Sequence, residues 1–441
     1  MKITKFWAKG YRSLRDVTLE PLGDFNIFYG ENGAGKSNIL DAIQTFFAFI
    51  PLAVNLRQLP FGFSRYSSDE ITNRISDLIW DDDFDLRQVD GSITLGAILE
   101  DKHAHFHQLH YWNEPIDQVE AEFSIYRLSK RKYRLVFDHF LLNQRPYPSL
   151  FLAGEKQPDL KKHLGTETFT HLGVTRTLRV DEDRDNGKHQ RRSSGTIPDG
   201  QVVKTLFAAK NARDKAQRKR FDTVREFLAK HLHRGALDVF MDGETQQLEL
   251  REQLPEPNPT GADISLDRAG HGVIQLYAIV ASILLAEGRL VAIEEPEAHL
   301  HAPTLGRQLR ALLQQMVKEG LVSQLFIATH SNLFDLDSTG YWDVSLDAEG
   351  ATQVKRLPLS EIDAHHLYEP GPAKHALAQL LRYAPESEVV YRRPDNTPIT
   401  AAELLRLLQE DDEIAVEFLR SIHGAALRIV RLQAKKEPTP Q

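Results

Sequence analysis

Gly30-Glu31-Asn32-Gly33-Ala34-Gly35-Lys36-Ser37 is the stretch on which the fold turns. The pattern G-x-x-x-x-G-K-S lets backbone N–H groups curl around phosphate oxygens at a helix start, with no side chains in the way. Lys36 is placed to reach β- and γ-phosphates, and the Ser37 hydroxyl to take a coordination position on Mg²⁺. The loop follows the apolar run Phe25-Asn26-Ile27-Phe28-Tyr29 and precedes Ile39, Leu40, Ala42, Ile43, Phe46 and Phe47, which recur at helical spacing. Strand, glycine loop and helix in that order are the context this motif requires.

A matching strand end lies far downstream. Leu290-Val291-Ala292-Ile293-Glu294-Glu295-Pro296-Glu297-Ala298-His299-Leu300-His301 is an apolar strand closing on two adjacent carboxylates. Glu294 suits a divalent metal, and Glu295 suits orienting and deprotonating an attacking water. A second strand, Gln324-Leu325-Phe326-Ile327-Ala328-Thr329, ends at His330-Ser331, where an imidazole could donate to a γ-phosphate or polarise the water. Helix 272–286, strand 289–294, helix 303–318 and strand 324–329 alternate as a parallel sheet with covering helices. Roughly 250 residues separate Lys36 from Glu294, far more than one β-α-β unit needs. The sequence therefore reads as a split nucleotide-binding fold. Its first strands, at 2–8 and 16–19, read as an antiparallel flank.

The chain has 441 residues, with 54 Lys and Arg against 62 Asp and Glu, a formal charge of −8. Apolar content of 41% and charged content of 26% fit a globular chain and exclude a mostly disordered one. The absence of cysteine removes disulfides, thiolate zinc sites, iron–sulfur clusters and a thiol nucleophile. The N-terminus lacks a signal peptide's apolar run, and Val273 to Ala286 is too short to cross a bilayer, so no membrane association and a cytoplasmic address are expected.

Between Gln201 and Arg234 the chain reads as helix with a polar interruption, and ten basic residues outnumber three acidic ones. In an acidic protein this Lys204–Arg234 segment is either a nucleic-acid backbone face or a solvated helix face. His103, His105 and His107 share one face of an expected half-exposed strand, and Asp81-Asp82-Asp83 reads as a solvated turn. Residues 181–200 read as a mobile surface loop, and the last 70 residues as helical.

Taken together, Gly10-Tyr11-Arg12-Ser13, the phosphate loop extended by Asn38, the Ile293–His301 stretch and Ala328-Thr329-His330-Ser331 resemble the ABC-type ATPase heads of the RecF, SMC and OLD group. The resemblance covers roughly 1–60 and 260–350. It implies that two heads sandwich two ATP molecules with Mg²⁺, in a homodimer or higher oligomer, each site completed by a signature segment from the partner. The candidate signature is Ser265–Gln275, where Gly270, His271 and Gly272 would bring a helix N-terminus to the partner's γ-phosphate. The resemblance further implies that Pro296–His301 carries signals across the dimer and that Arg12 makes a phosphate or interdomain contact.

The fold class expected is α/β, a split head with a mixed sheet, a large α+β insertion and a helical C-terminal region. The corresponding divisions are 1–60 and 256–358 for the head, 61–255 for the insertion and 359–441 for a partner or oligomer region. Three functions are compatible. The first is an ATP-hydrolysing switch controlling a separate nuclease or toxin subunit, as in antiphage systems. The second is a RecF-like DNA-binding ATPase, and the third an ATP-binding oligomeric scaffold with little hydrolysis.

Overall fold

The computed structural model describes residues 1–57, 78–85, 91–101, 110–111, 114–130, 132–146, 164, 168–173, 202–232, 236–243, 247–253, 263–266, 271–286, 289–298, 300, 303–331, 334, 340–357, 377–378, 381, 384–385, 387–392, 397–409 and 418. The chain divides into two compact units, Met1–Leu357 and Pro358–Gln441.

Two six-stranded sheets organise the first unit. One is antiparallel, in the order β2 (Leu14–Leu19), β1 (Lys2–Tyr11), β4 (Ser92–Glu100), β5 (Gln118–Ser129), β6 (Lys132–Leu142) and a short edge at Arg145–Pro146. The other runs β7 (Phe169–Leu172), β11 (Leu290–Glu294), β12 (Gln324–Thr329), β3 (Phe25–Tyr29), β13 (Gly340–Leu346) and β14 (Thr352–Leu357). Its first five strands are parallel, and β14 returns antiparallel along β13. Part of the region expected as an insertion shares its sheets with the expected head. Strands β4, β5 and β6 extend the sheet begun by β1 and β2, and β7 edges the parallel sheet.

Helix α1 (Lys36–Arg57) packs on strands of both sheets, β1 and β4 on one side and β7 and β12 on the other. Its sequence explains this position. Ile39, Leu40, Ala42, Ile43, Phe46, Phe47, Phe49 and Ile50 spread apolar groups over about half of the helix surface, each at most 1% exposed, while Asp41 and Gln44 lie on the other side. A stripe that wide can bury itself against two sheets at once. The Phe46 ring meets Phe47 at 5.4 Å, Phe123 of β5 at 5.5 Å and Phe6 of β1 at 6.3 Å between centroids.

A three-stranded antiparallel sheet of β8 (Ala236–Met241), β9 (Leu248–Gln253) and β10 (Asp263–Ser265) lies downstream in sequence. Helices α2 (Val202–Lys210) and α3 (Lys215–Leu232) pack on β8 and on α4 (His271–Leu285). Helix α5 (Pro303–Lys318) then joins β11 to β12, completing the expected strand–helix–strand unit. No described helix is long and apolar enough to cross a membrane.

The second unit differs from its all-helical expectation. Strands β15 (Val389–Arg392) and β16 (Pro398–Thr400) pair antiparallel ahead of α6 (Ala401–Gln409), with Leu404, Leu407 and Leu408 buried against Ile399. Val389-Val390-Tyr391 favours extended backbone, and Pro394-Asp395-Asn396 is turn chemistry, which together outweigh a coarse helical spacing. Most of 413–432, also expected as helix, lies outside the described residues, as do 181–200 and His103, His105 and His107.

Because Phe46 is fully buried and packs α1 on β1 and β5, Phe46→Ala should cost about 3–5 kcal/mol, the scale of an aromatic deletion that leaves a cavity. Chemical denaturation of the two proteins measures this, and a loss below about 1 kcal/mol would contradict the enclosed placement of α1.

Candidate functional site

The parallel register aligns the C-terminal ends of three strands. Tyr29 of β3 is level with Thr329 of β12, and Ala328 with Glu294 of β11. The segments leaving these strands therefore meet at one sheet edge: the Gly30–Ser37 loop after β3, Glu295 after β11 and His330 after β12. This edge is where ligands bind in open parallel sheets.

The loop is held from behind. Gly35 has φ +102°, and a Cβ there would fall 2.0 Å from the Thr352 Oγ1 of β14. Gly30 lies as close to β13, where a Cβ would meet the Val344 carbonyl oxygen at 2.1 Å. Thr352 Oγ1 donates to the Ala34 carbonyl at 3.1 Å and lies 2.7 Å from Ser13 Oγ, which accepts from Asn38 Nδ2 at 2.7 Å. The turn between β1 and β2 and strand β14 thus clamp the loop and the first turn of α1. Glu31, Asn32 and Gly33 form its outer, exposed arc.

Lys36 is 6% exposed and donates through Nζ to the carbonyls of Gly30 (2.7 Å) and Glu31 (2.8 Å). Burial pushes its pKa below 10.5, while the carboxylates of Glu295, Glu297 and Glu294 pull it upward. Ser37 Oγ donates to Glu294 Oε2 at 3.0 Å, so two oxygen ligands suited to a hard cation converge here.

Glu295 adopts φ +40°, a left-handed conformation costly for a non-glycine residue, and its N–H donates to the Ala328 carbonyl at 2.7 Å. Its carboxylate Oε1 lies 3.6 Å from His330 Nδ1, and Glu297 Oε1 lies 3.8 Å from the same nitrogen. Thr329 Oγ1 donates to Glu297, and the Ser331 N–H donates to Thr329 Oγ1 at 2.9 Å, fixing the turn that carries His330.

Arg12 sits at the rim with φ +50°. Its Nη1 reaches Asn38 Oδ1 at 3.1 Å and Asp41 Oδ2 at 2.5 Å, and its Nε reaches Asp83 Oδ1 at 3.0 Å. The turn at Asp81–Asp83 is correspondingly less solvated than expected. Asp83 is 2% exposed, because its carboxylate faces Arg12 and caps the Trp80 N–H at 2.9 Å. Asp81 accepts from Tyr133 Oη at 3.0 Å, and burial followed by that bond raises the phenol pKa.

Three residues that sequence reading passed over complete the edge. His171 of β7, 8% exposed, places Nε2 2.9 Å from Glu294 Oε1 and Nδ1 3.0 Å from Gln44 Oε1 and 3.5 Å from Asp41 Oδ1. Asp41 and Gln44 carried a weak signal, since they follow Ser37 on α1 by four and seven residues and so share its face. His171, on a four-residue strand, carried none.

Of the expected signature, Gly270 lies outside the described residues, and nothing is described of the His271 side chain. The backbone of His271 and Gly272 opens α4. In the basic segment, Lys210 pairs with Asp238 at 2.6 Å, and Lys230 and His231 both reach Glu319. Hydrogen bonds from Gln315, Lys230 and His231 hold the Glu319 pKa at about 2. Lys204, Arg213, Lys215, Arg218 and Lys219 are exposed, while Arg234 lies outside the described residues.

Two family models match this chain. One, described as "AAA ATPase domain", matches residues 1–172, and the other, "AAA domain, putative AbiEii toxin, Type IV TA system", matches residues 119–337. The DNA replication and repair protein RecF of Geotalea daltonii is 46% identical over 43 residues, 10% of this chain and 12% of that protein. RecF of Acinetobacter baumannii is 34% identical over 71 residues, 16% of this chain and 19% of that protein. The SMC head domain from Thermotoga maritima superposes with a TM-score of 0.44 at 14% identity, covering 81% of this chain and all of that one. An Smc head bound to the C-winged helix domain of ScpA gives 0.49 at 17% identity, covering 82% and 99%.

Burial that discourages charge on Lys36 should be offset by an arriving triphosphate. ATP binding at about pH 9.5, beneath the ordinary lysine value, should then take up protons. Calorimetry in buffers of different ionisation heat measures the uptake, which Lys36→Arg should abolish because guanidinium stays charged. Equal uptake by the two proteins would assign the proton elsewhere.

Proposed function

From the premise that this chain is an ABC-type P-loop ATPase of the RecF/SMC group, we propose that it hydrolyses ATP and works as a switch. ATP closes a dimer of heads, hydrolysis reopens it, and the motion governs a separate effector protein. The observation that carries the reading is the convergence of loop, carboxylates and imidazole at one sheet edge, with Ser37 Oγ 3.0 Å from Glu294.

The residues act in a definite order. Amides of the Gly30–Ser37 loop and the start of α1 receive the phosphates, and Lys36 exchanges its two carbonyl contacts for phosphate oxygens. Ser37 and Glu294 would hold Mg²⁺, which would supply charge neutralisation to the bound phosphates. Glu295 orients and deprotonates the water, and His330, beside it, donates to the γ-phosphate. Gly270, His271 and Gly272 of a second copy complete each site, and Asn38 with Arg12 fixes the loop's flank. Residues 1–60 and 256–358 serve as the head, 61–255 as the inserted region and 359–441 as a contact region for a partner or oligomer.

The toxin part of this reading draws on the matching model described as "AAA domain, putative AbiEii toxin, Type IV TA system"; the nuclease alternative and the antiphage role are our proposal. The second reading, an ATP-controlled DNA-binding protein, is favoured by the RecF match and by exposed Lys215, Arg218 and Lys219 on α3. Salt-dependent retention of duplex DNA by the protein alone separates the two, because phosphate contacts release counterions.

Lys36→Ala should abolish ATP binding. Glu295→Gln should retain ATP, slow phosphate release about 10²–10⁴-fold and accumulate a closed dimer with ATP and Mg²⁺ by light scattering. Undiminished turnover in Glu295→Gln would remove it from the chemistry.

A further inference from the structure

The hydrogen bonds behind the glycine loop all donate in one direction. The Ala34 carbonyl only accepts, so the Thr352 Oγ1 proton is spent on it, at 3.1 Å. Thr352 Oγ1 lies 2.7 Å from Ser13 Oγ and must therefore accept the Ser13 proton. Ser13 Oγ in turn accepts from Asn38 Nδ2 at 2.7 Å, and Asn38 Oδ1 accepts from Arg12 Nη1 at 3.1 Å. A guanidinium has no lone pair to offer. The chain of donation starts on Arg12 and stops on the Ala34 carbonyl.

The place where it stops matters. The peptide joining Ala34 to Gly35 is planar and trans, so its C=O and N–H point in opposite directions. With the carbonyl drawn back onto β14, the Gly35 N–H is turned away from that strand, as a donor to phosphate must be. Only glycine tolerates the approach, since a Cβ at residue 35 would fall 2.0 Å from Thr352 Oγ1 and 2.9 Å from Ser13 Oγ. Thr352 is itself fixed: it is 2% exposed, and its N–H donates to the Ser13 carbonyl at 2.8 Å.

We infer that Thr352 is a positioning residue of the proposed ATPase site, its hydroxyl holding the Gly35 N–H ready for a bound phosphate and so setting nucleotide affinity. The inference rests on the reading of Gly30–Ser37 as a phosphate loop. An amide aimed in advance spends no binding energy on turning its peptide. The contact is made alike before and during hydrolysis, so its loss raises KM and spares kcat.

The test compares Thr352→Val, which keeps the shape and loses the hydroxyl, with Thr352→Ser, which keeps the hydroxyl. Full-length proteins are titrated with a fluorescent ATP analogue and, by calorimetry, with inorganic pyrophosphate, which has no base or ribose. Thr352→Val should bind both probes about tenfold more weakly, the scale of one hydrogen bond, with kcat at saturating ATP within about twofold of wild type. Thr352→Ser should bind both within about threefold of wild type, on the same scale. Ser13→Ala, which leaves the Thr352 hydroxyl in place, should weaken pyrophosphate by about threefold alone and add nothing in the Thr352→Val background, as members of one chain do. Equal losses in Thr352→Val and Thr352→Ser, a fall in kcat with affinity kept, or wild-type affinity in Ser13→Ala overturns the inference. If wild type binds both probes and Thr352→Val binds them as well, only the role of Thr352 fails. If wild type binds neither, the phosphate-loop reading fails and this inference with it.

Discussion

Parallel pairing of β11, β12 and β3 is the constraint on which the site depends. Hydrogen bonds slanting between these strands fix their register, so the residues after Tyr29, Glu294 and Thr329 emerge at one level. These strands are buried on both faces, so a one-residue slip would instead draw the charged Glu294 inward at the strand end. Ile27, Ile293 and Ile327 are each fully buried across the three strands, which opposes the slip. The apolar interior thus does the positioning, and the chemistry-bearing residues occupy the ends.

Rigidity at the glycine loop comes from elements remote in sequence. Thr352 bonds the Ala34 carbonyl across 318 residues, and Ser13 meets Thr352 across 339. These short polar side chains suit the place because Gly35 lets them come close to the loop and bond its backbone. Arg12 extends the same tether to Asn38, Asp41 and Asp83, joining the antiparallel sheet to the start of α1. Any displacement of the β1–β2 turn must therefore be felt at the loop's flank.

The central strands and helices were legible because their signals are local. The apolar runs 290–294 and 324–329 and the helical spacing of 303–318 appear where the sequence placed them. The site was legible in part, since the loop motif and the two adjacent glutamates advertise themselves by spacing. His171 did not, because its role depends on β7 lying beside β11, a pairing across more than 100 residues that no periodicity reports. The same holds for the insertion, whose strands join β1 only through long-range ladders. In the second unit β15 and β16 take the place of part of the expected helix, since Val389, Val390 and Tyr391 favour extended backbone.

Charge explains why the parts of this edge depend on one another. Glu294, Glu295 and Glu297 crowd the space in front of the loop, and Lys36 is folded back onto carbonyl oxygens. A triphosphate bound there would meet the charge of these carboxylates as well as that of its lysine. Loop amides answer part of this repulsion through the α1 dipole, but their partial charges cannot offset several full negative charges. On the proposed reading, a divalent cation on Ser37 and Glu294 would neutralise the nearest carboxylate and present positive charge to the phosphates. A site that already holds its cation needs less rearrangement to admit the nucleotide, so metal and nucleotide should strengthen each other's binding by the same factor, as linkage requires.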